Sequence, residues 1–338
     1  MLRTQSSPDV IVIGGGVIGL ATALDLLKSG MRVNLLERNR IGRGGASWAG
    51  GGILSPLQPD TLDEEVWSLL IDSLSRYADW CGELQDRSGV DPEYLISGLE
   101  VLQAADPNPW ESFASRCALA LQFADADTDG RPGSFHLPQI AQVRSPRLLA
   151  ALAQAFTRSG GKLLEGHNVD HFIGDERVRG VVCANQSFPS GAVVLAAGAW
   201  SSQLDASCEI DGAKGQMLAF EAAPGELQSI CLQGDQYLIP RKDGLIIAGS
   251  TLEAKGLDDD CTDQAREEIS EAAFRMAPWL EGREVLHQWS GLRPVASDEK
   301  PVFGWSSRRD GLFHATGHYR LGITLAPGVA ARAASLIA

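Results

Sequence analysis

The stretch of residues 9–19, DVIVIGGGVIG, decides the fold of this chain. It begins with a β-branched apolar run, which is typical of a strand buried on both faces of a parallel sheet. The motif GxGxxG at residues 14–19 then opens a helical pattern at 20–29, and a second apolar run at 33–36 ends in Glu37, 18 residues past the last glycine. This order of strand, glycine loop, helix, strand and acid predicts a βαβ unit that binds a dinucleotide.

Each residue type in this unit has a physical role. Gly14 permits a tight turn, and Gly16 lets the backbone approach a pyrophosphate because no Cβ stands in the way. Gly19 lets the helix pack closely on the strand, and the amides at the helix N-terminus hold phosphates. The carboxylate of Glu37 accepts hydrogen bonds from ribose hydroxyls, and its charge disfavours a nucleotide with a 2′-phosphate.

The composition excludes several classes of partner. The chain has 338 residues, enough for one large domain or two ordinary ones, and 29 Lys+Arg against 43 Asp+Glu give a net charge of −14. That charge repels a phosphate backbone, so neither nucleic acid nor an anionic membrane is expected as a partner. No apolar run approaches the roughly 18 residues of a membrane span, and residues 1–9 are polar, which predicts a soluble, cytoplasmic protein. The six cysteines are scattered without a CxxC pair, so reduced thiols and no metal site are predicted.

Further glycine-rich stretches indicate which dinucleotide, FAD or NAD, the βαβ unit binds. Residues 40–52 form a second glycine-rich run that contains Ser47, and residues 193–198 form a buried strand pattern ending in small residues. Residues 317–324 form a third glycine-bracketed loop before an apolar helix pattern. These stretches offer backbone amides and a hydroxyl to the same pyrophosphate and to a flavin beyond it. No second GxGxxG occurs, so a reductase that binds both FAD and NAD(P)H is disfavoured.

Taken together, these stretches resemble the FAD-dependent D-amino acid oxidase family, most closely the glycine oxidases of thiamine biosynthesis. The resemblance runs from Asp9 to about Ala330, and its specific motifs are YLIPRK at 237–242, GLRP at 291–294 and GHYRLGI at 317–323. It implies an α/β fold, with a Rossmann-type FAD-binding domain and an interleaved α+β substrate domain built on an antiparallel sheet. We assign the FAD-binding domain to residues 1–85, 136–205 and 290–338, and the substrate-binding domain to residues 86–135 and 206–289.

Local patterns add detail to that assignment. Strands are predicted at 214–220, 236–240 and 245–251, the last two joined by a turn that contains Asp-Gly. Helical periodicity predicts helices at 62–87, 147–159 and 263–276.

The resemblance also implies which residues hold FAD. It puts Val17 and Ile18 at the pyrophosphate, Glu37 and Arg38 at the adenosine, and the backbone of Val169 at the adenine. With the motif glycines Gly14, Gly16 and Gly19, the remaining predicted contacts are Gly45, Ala46, Ser47, Gly50, Gly51 and Gly52 along the flavin path, Ala197 and Gly198 at the strand end, and His318, Tyr319, Arg320, Leu321, Gly322, Ile323 and Thr324 around the isoalloxazine ring. Related sarcosine oxidases attach their flavin through a C-terminal cysteine, and no cysteine follows Cys261 here, so non-covalent FAD is expected.

Three residues match the catalytic positions of the family. Arg293 matches the arginine whose planar fork clamps the substrate carboxylate, and Tyr237 matches a tyrosine whose hydroxyl meets the same carboxylate. Arg320 matches a second active-site arginine, which serves either the carboxylate or the charge of the reduced flavin. The implied reaction is hydride transfer from the α-carbon of a small amino acid to flavin N5, followed by hydrolysis of the imine to a 2-oxo acid and ammonia. For glycine the product is glyoxylate, and dioxygen takes the electrons to form hydrogen peroxide.

The sequence departs from the pattern at positions that bear on specificity. Asp235 stands where a histidine is usual two residues before the tyrosine, Leu252 replaces a methionine, and Trp48 is bulkier than the expected small residue. Glycine, sarcosine and small D-amino acids therefore all stay possible as substrates. Two alternative functions also stay open, a dehydrogenase that passes electrons to a quinone and a non-catalytic flavin-binding module. The resemblance suggests a homo-oligomer and, because the apolar helix pattern stops at Ala338, a further C-terminal tail.

Overall fold

A computed structural model describes residues 7–102, 106–123, 134–253 and 256–338. Its helices are α1 Val17–Lys28, α2 Gly45–Ala49, α3 Glu64–Ser88, α4 Asn108–Arg116, α5 Ser145–Arg158, α6 Ser201–Leu204, α7 Asp263–Met276 and α8 Gly322–Ile337. Its strands are β1 Val10–Ile13, β2 Val33–Glu37, β3 Leu95–Ile96, β4 Leu99–Val101, β5 Gln122–Phe123, β6 Phe135–Leu137, β7 Ala141–Gln142, β8 Lys162–Glu165, β9 His171–Phe172, β10 Gly180–Cys183, β11 Gln186–Pro189, β12 Ala192–Leu195, β13 Ile210–Phe220, β14 Ile230–Gln233, β15 Gln236–Pro240, β16 Ile246–Gly249, β17 Val285–Ala296, β18 Val302–Trp305 and β19 Leu312–Thr316.

The first sheet has six strands in the order β18-β19-β12-β1-β2-β8. All of its pairs are parallel except β18 with β19. Strand β1 is buried along its whole length in the middle of the sheet, as its unbroken apolar run predicts. The βαβ prediction is confirmed, although α1 begins at Val17 and not at Leu20, since the glycine loop already ends at the N-cap residue Gly16.

The two faces of this sheet are covered by different structures. Helices α1, α3, α5 and α8 cover one face, and their apolar residues form one core with Val10, Val12 and Leu35 of the sheet. The small antiparallel sheet β9-β10-β11 covers the other face, where Val181 packs with Ile11. The helices predicted at 62–87 and 147–159 are confirmed with small shifts, at Glu64–Ser88 and Ser145–Arg158, and the third is confirmed with its predicted bounds, at Asp263–Met276.

The second sheet has eight strands in the order β17-β13-β16-β15-β14-β4-β6-β5. The prediction of an antiparallel sheet holds for every pair but one, because β14 runs parallel to β4. These two strands come from distant parts of the chain, so no hairpin fixes their direction. Strands β15 and β16 form the predicted hairpin, and α7 packs its apolar residues on the sheet's outer face.

The predicted domain bounds stay a prediction. Strands β6 and β17 of the larger sheet extend across the predicted bounds at 135/136 and 289/290. A separate two-stranded sheet pairs β3 with β7. None of the helices in the described part of the chain is long and apolar enough to cross a bilayer.

Candidate active site

A cavity of about 470 Å³ lies between the two large sheets. One side is formed by the carboxyl ends of β1, β2, β12 and β19, and the other by β13, β15 and β17. The carboxyl edge of a parallel sheet is where α/β folds bind their ligands. The cavity therefore collects residues from all three glycine-rich stretches that the sequence separates.

The glycine loop builds one end of this cavity. The φ angle of Gly14 is 107°, which a residue with a side chain rarely adopts, and a Cβ there would overlap the carbonyl of Ala196. A Cβ at Gly19 would overlap the carbonyl of Gly14, so this glycine sets the close approach of helix to loop. The N-cap residue Gly16 provides no side-chain cap, and Ser47 Oγ accepts a hydrogen bond from the Val17 amide at 3.0 Å. Ser47 thus pairs with one amide of the first turn, and the neighbouring amide of Ile18, for which the described residues offer no partner, is left to an anion.

Glu37 and Arg38 follow at the end of β2. The Glu37 carboxylate is fixed by hydrogen bonds from the amides of Gly15 at 2.6 Å and Asn39 at 2.8 Å. The guanidinium of Arg38 lies 3.5 Å from the ring centroid of Trp200, and burial lowers the pKa of Arg38. Trp200 lines the cavity, and the nucleotide motif gave no signal for it.

The second glycine run depends on a residue for which the sequence predicts no role of its own. Arg241 is buried behind the cavity and donates to the carbonyls of Gly51 at 2.7 Å and Val143 at 3.0 Å, and to Gln142 Oε1 at 2.7 Å. Burial, followed by the nearby charge of Arg144, lowers the pKa of Arg241 to about 10. Arg241 therefore fixes the glycine run from behind, and the signal for it was its place in the YLIPRK motif.

The loop before α8 carries His318 into the cavity wall. His318 is 3% exposed, and its Nε2 is buried with no hydrogen-bond partner among the described residues. Burial lowers the pKa of His318 from 6.5 to about 4, so the ring is neutral at physiological pH. An orphaned polar atom in a cavity wall is an observation that a bound ligand would explain.

Arg293 and Tyr237 lie at the opposite end of the cavity. Arg293 Nη2 donates to Ser250 Oγ at 2.6 Å and Nη1 to the Thr251 carbonyl at 3.2 Å, both neutral oxygens. None of the ion pairs formed by the described residues includes Arg293. The Tyr237 hydroxyl is buried and has only a long contact with Met217 Sδ at 3.8 Å as its hydrogen bond within the described structure. Both groups are therefore available to an anionic ligand.

The third predicted catalytic residue, Arg320, also lines the cavity but is already paired. Its Nη1 donates to Asp235 Oδ1 at 2.7 Å. Burial lowers the pKa of Arg320, but hydrogen bonds to Tyr319 and Asp235 raise it by more, so the net shift is upward. Arg320 therefore remains fully charged.

All three departures from the family pattern lie outside the cavity lining, and Asp235 meets it only through Arg320. Trp48 packs edge-on against Trp289, with ring centroids 6.5 Å apart, and Leu252 is 52% exposed. Neither side chain narrows the cavity.

Most of the predicted cofactor-binding residues line the cavity. The lining set contains Gly14, Gly16, Val17, Ile18, Glu37, Arg38, Gly45, Ala46, Ser47, Gly50, Gly51, Gly52, Val169, Ala197, Gly198, His318, Tyr319, Arg320, Gly322 and Ile323. Gly19, Leu321 and Thr324 are not in it: Gly19 faces the loop behind, Leu321 is the N-cap of α8, and the buried Thr324 donates to the Ile53 carbonyl at 3.2 Å. These three support the cavity from behind.

One cluster of potential metal ligands occurs within the described residues, formed by Asp205, Cys208 and His314. A hydrogen bond of 2.9 Å joins His314 Nε2 to Asp205 Oδ2, and Asp205 Oδ1 also accepts from Ser207. Burial raises the pKa of Cys208 to about 12, which keeps the thiol protonated at neutral pH. The arrangement is that of a buried hydrogen-bond network.

Comparison with protein families shows to which family the chain belongs. The model of the family described as FAD dependent oxidoreductase matches residues 9–336. The chain belongs to this family. FAD is therefore its cofactor, and the family membership explains why three separated glycine-rich stretches meet at one cavity.

Individual relatives agree with this assignment. The glycine oxidases of Pseudomonas aeruginosa and Pseudomonas putida are each 36% identical over 95% of this chain and 92% of their own length. Among solved structures, glycine oxidase from Bacillus cereus superposes with a TM-score of 0.89 at 26% identity, covering 98% of this chain and 97% of that one. Glycine oxidase from Geobacillus kaustophilus gives the same TM-score at 28% identity, covering 98% and 94%.

The geometry of the cavity fits FAD. The open N-terminus of α1 suits a pyrophosphate, and the fixed Glu37 carboxylate suits ribose hydroxyls. The orphaned Nε2 of His318 suits a polar edge of the flavin. The residues that would hold the cofactor thus extend from the glycine loop at one end to the loop before α8 at the other.

Proposed function

We propose that this protein is an FAD-dependent glycine oxidase, which converts glycine, dioxygen and water to glyoxylate, ammonia and hydrogen peroxide. The observation that carries the proposal is Arg293, a guanidinium at the cavity wall whose hydrogen-bond partners among the described residues are neutral oxygens. A carboxylate is its natural ligand. The naming of the 36% identical Pseudomonas relatives as glycine oxidases supports the same substrate, and the match to a Synechocystis protein named bifunctional ThiO/ThiG fits a role in thiamine biosynthesis.

Arg293 is the carboxylate clamp in this proposal. The Ser250 hydroxyl and the Thr251 carbonyl fix the orientation of its planar fork, so little side-chain freedom is lost when a carboxylate binds. Gly215 lies beneath the fork, where a side chain would overlap the guanidinium. A clamp held in this way orients the α-carbon, which is the main task left to the protein.

Tyr237 supports the clamp from β15, which is separated from β17, the strand of Arg293, by β13 and β16. Its hydroxyl lies beside Gly249, where a Cβ would be 3.2 Å away, and its long contact with Met217 is a weak hydrogen bond. The hydroxyl is therefore free to donate to the substrate carboxylate. Met217 and Tyr237 both line this end of the cavity, which favours a small substrate such as glycine.

The reaction assigns few chemical steps to the protein. When bound, FAD supplies the acceptor for the hydride that leaves the α-carbon. Glycine reacts with its amine neutral, so no side chain has to remove a proton from the α-carbon. Arg293 and Tyr237 hold the carboxylate throughout, and the imine product is released to water, which hydrolyses it to glyoxylate and ammonia.

The same proposal covers the electron acceptor, the flavin linkage and the assembly. We expect dioxygen as the acceptor, FAD bound without a covalent link, and a homo-oligomer in solution. The absence of cysteine from the described cavity lining supports a non-covalent flavin. Acid precipitation should release all of the flavin into the supernatant, and sedimentation should give a mass above the 36.1 kDa of one chain.

Anaerobic reduction of the bound flavin tests the function directly. Glycine should bleach the flavin absorbance, and readmitted air should restore it with one peroxide per flavin. Arg293→Ala should need far more glycine, whereas Arg283→Ala, a surface arginine paired with Glu226, should behave as wild type. Absence of bleaching by glycine would refute the proposal, and faster bleaching by sarcosine or a D-amino acid would select one of those substrates instead.

A further inference from the structure

The two arginines near the substrate end of the cavity have different electrostatic surroundings. Arg293 contacts neutral oxygens, whereas Arg320 forms an ion pair with Asp235 at 2.7 Å. The Arg320 side chain is 16% exposed and that of Asp235 is 42% exposed. Among the described residues at this end, the charge of Arg320 is therefore neutralised by an acidic partner, whereas the charge of Arg293 is not.

Asp235 does not line the cavity itself but acts through Arg320. It lies in the turn between β14 and β15, and the same Oδ1 that accepts from Arg320 also accepts from Gln58 Nε2 at 3.0 Å. Gln58 precedes α3, and Arg320 precedes α8, so the carboxylate joins three separate segments of the chain. This connection fixes where the Arg320 guanidinium lies.

One donor of Arg320 is not committed. Its Nε is buried without a hydrogen-bond partner among the described residues. Arg320 lines the cavity, so a second substrate carboxylate bound beside it would also meet the negative charge of Asp235. Like charges at such short range oppose binding, and in a partly buried site they are screened less than in water.

We propose that Asp235 is a specificity-determining positioning residue, which restricts the substrate to amino acids with a single carboxylate. By neutralising Arg320 it withholds the second cation from a second carboxylate, while Arg293 still binds the first. The inference rests on the proposed amino acid oxidase function and concerns the same site. It gives a physical role to the aspartate that replaces the histidine of the family pattern.

Three substrates isolate the charge effect. Sarcosine is glycine with a methyl group on nitrogen, and iminodiacetate carries a carboxymethyl group at the same position. The ratio of kcat/KM for iminodiacetate to that for sarcosine measures tolerance of a second carboxylate, and the size difference between them cancels when variants are compared. Glycine itself reports the basal activity.

Asp235→Asn should raise this ratio about tenfold, since it leaves the Arg320 charge unpaired in a partly buried site. Asp235→Glu retains the charge and should retain the wild-type ratio. The matched control is Asp72→Asn, which removes an aspartate with 41% exposure that pairs with Arg76 at 2.8 Å on α3. It should leave the ratio unchanged.

Inhibitor binding to the holoenzyme provides a readout without turnover. Malonate and acetate should perturb the flavin absorbance on binding, and Asp235→Asn should tighten malonate about tenfold while acetate changes less than twofold. If wild type oxidises glycine and Asp235→Asn changes neither the substrate ratio nor malonate binding, the assignment of Asp235 is overturned alone. If wild type oxidises neither glycine nor sarcosine, the proposed function has failed instead.

Discussion

Gly215 lies under the guanidinium of Arg293, and replacing this glycine with alanine tests the clamp without touching it. A Cβ at Gly215 would overlap the Nη1, Nη2 and Cζ atoms of Arg293. Gly215 is not among the glycines with positive φ, so its backbone accepts alanine without strain. The overlapping atoms belong to the end of a flexible side chain, so the guanidinium will move aside and the fold will remain.

The expected loss follows from the hydrogen bonds at stake. A fork displaced from its position retains at most one of its two bonds to a carboxylate, and a hydrogen bond to a charged group contributes about 1.5–3 kcal/mol. Because 1.4 kcal/mol corresponds to a factor of about ten, kcat/KM for glycine should fall roughly 10- to 100-fold. The free energy of unfolding should change by less than about 1 kcal/mol, since no buried group is removed.

Steady-state peroxide formation measures kcat/KM, and denaturant unfolding with a fixed excess of FAD measures stability. Gly82→Ala in α3 is the matched control, because a Cβ there meets nothing within 4 Å. The flavin content of each variant shows whether the cofactor site is intact. If Arg293→Ala inactivates the enzyme but Gly215→Ala leaves kcat/KM unchanged, the observed position of the Arg293 guanidinium is not the one that binds the substrate carboxylate, and the reasoning is refuted.

Three further perturbations test the cofactor end of the cavity. Gly14→Ala combines a φ of 107° with overlap of the Ala196 carbonyl, so purified protein should lose most of its bound FAD as measured by absorbance. Arg241→Met leaves buried carbonyls without donors and should lower the free energy of unfolding by about 2–4 kcal/mol in denaturant titrations. The pKa of His318 in the folded protein, about 4, is below its ordinary value of 6.5, so the free energy of unfolding decreases as the pH falls from about 6.5 towards 4. The difference between the free energies of unfolding at pH 7 and pH 4 should be about 3 kcal/mol smaller in His318→Asn than in wild type.

Some features of this protein could be predicted from sequence because they depend on local sterics. The GxGxxG loop is such a case, since Gly14 has a φ of 107° and a Cβ at Gly19 would overlap the carbonyl of Gly14 in the same loop. The hairpin of β15 and β16 is another, because its turn residues are adjacent in the chain. Arg293 and Tyr237 were found through motifs, and the structure places both at the cavity.

Other features depend on contacts between distant residues, which no local pattern reveals. Arg241 holds Gly51 across 190 positions of sequence, and Arg320 meets Asp235 across 85. Trp48 was expected to bear on specificity because of its bulk, but its ring packs against Trp289 and does not line the cavity. In each case the residue type was visible in the sequence, and its partner was determined by the tertiary fold.

The net charge of the chain and the charge of its cavity act differently on the proposed substrate. Glycine in solution is a zwitterion with no net charge, so the net charge of −14 does not repel it as a whole, and screening limits the field of the surface charges to about 8 Å at physiological ionic strength. Inside the cavity the nearest charge decides, and there Arg293 has only neutral oxygens as partners within the described part of the chain. A guanidinium kept without a counter-ion in a partly enclosed site is costly until an anion binds. The substrate carboxylate would remove that cost. The lack of an acidic partner for Arg293 therefore destabilises the empty site and strengthens the binding of the carboxylate.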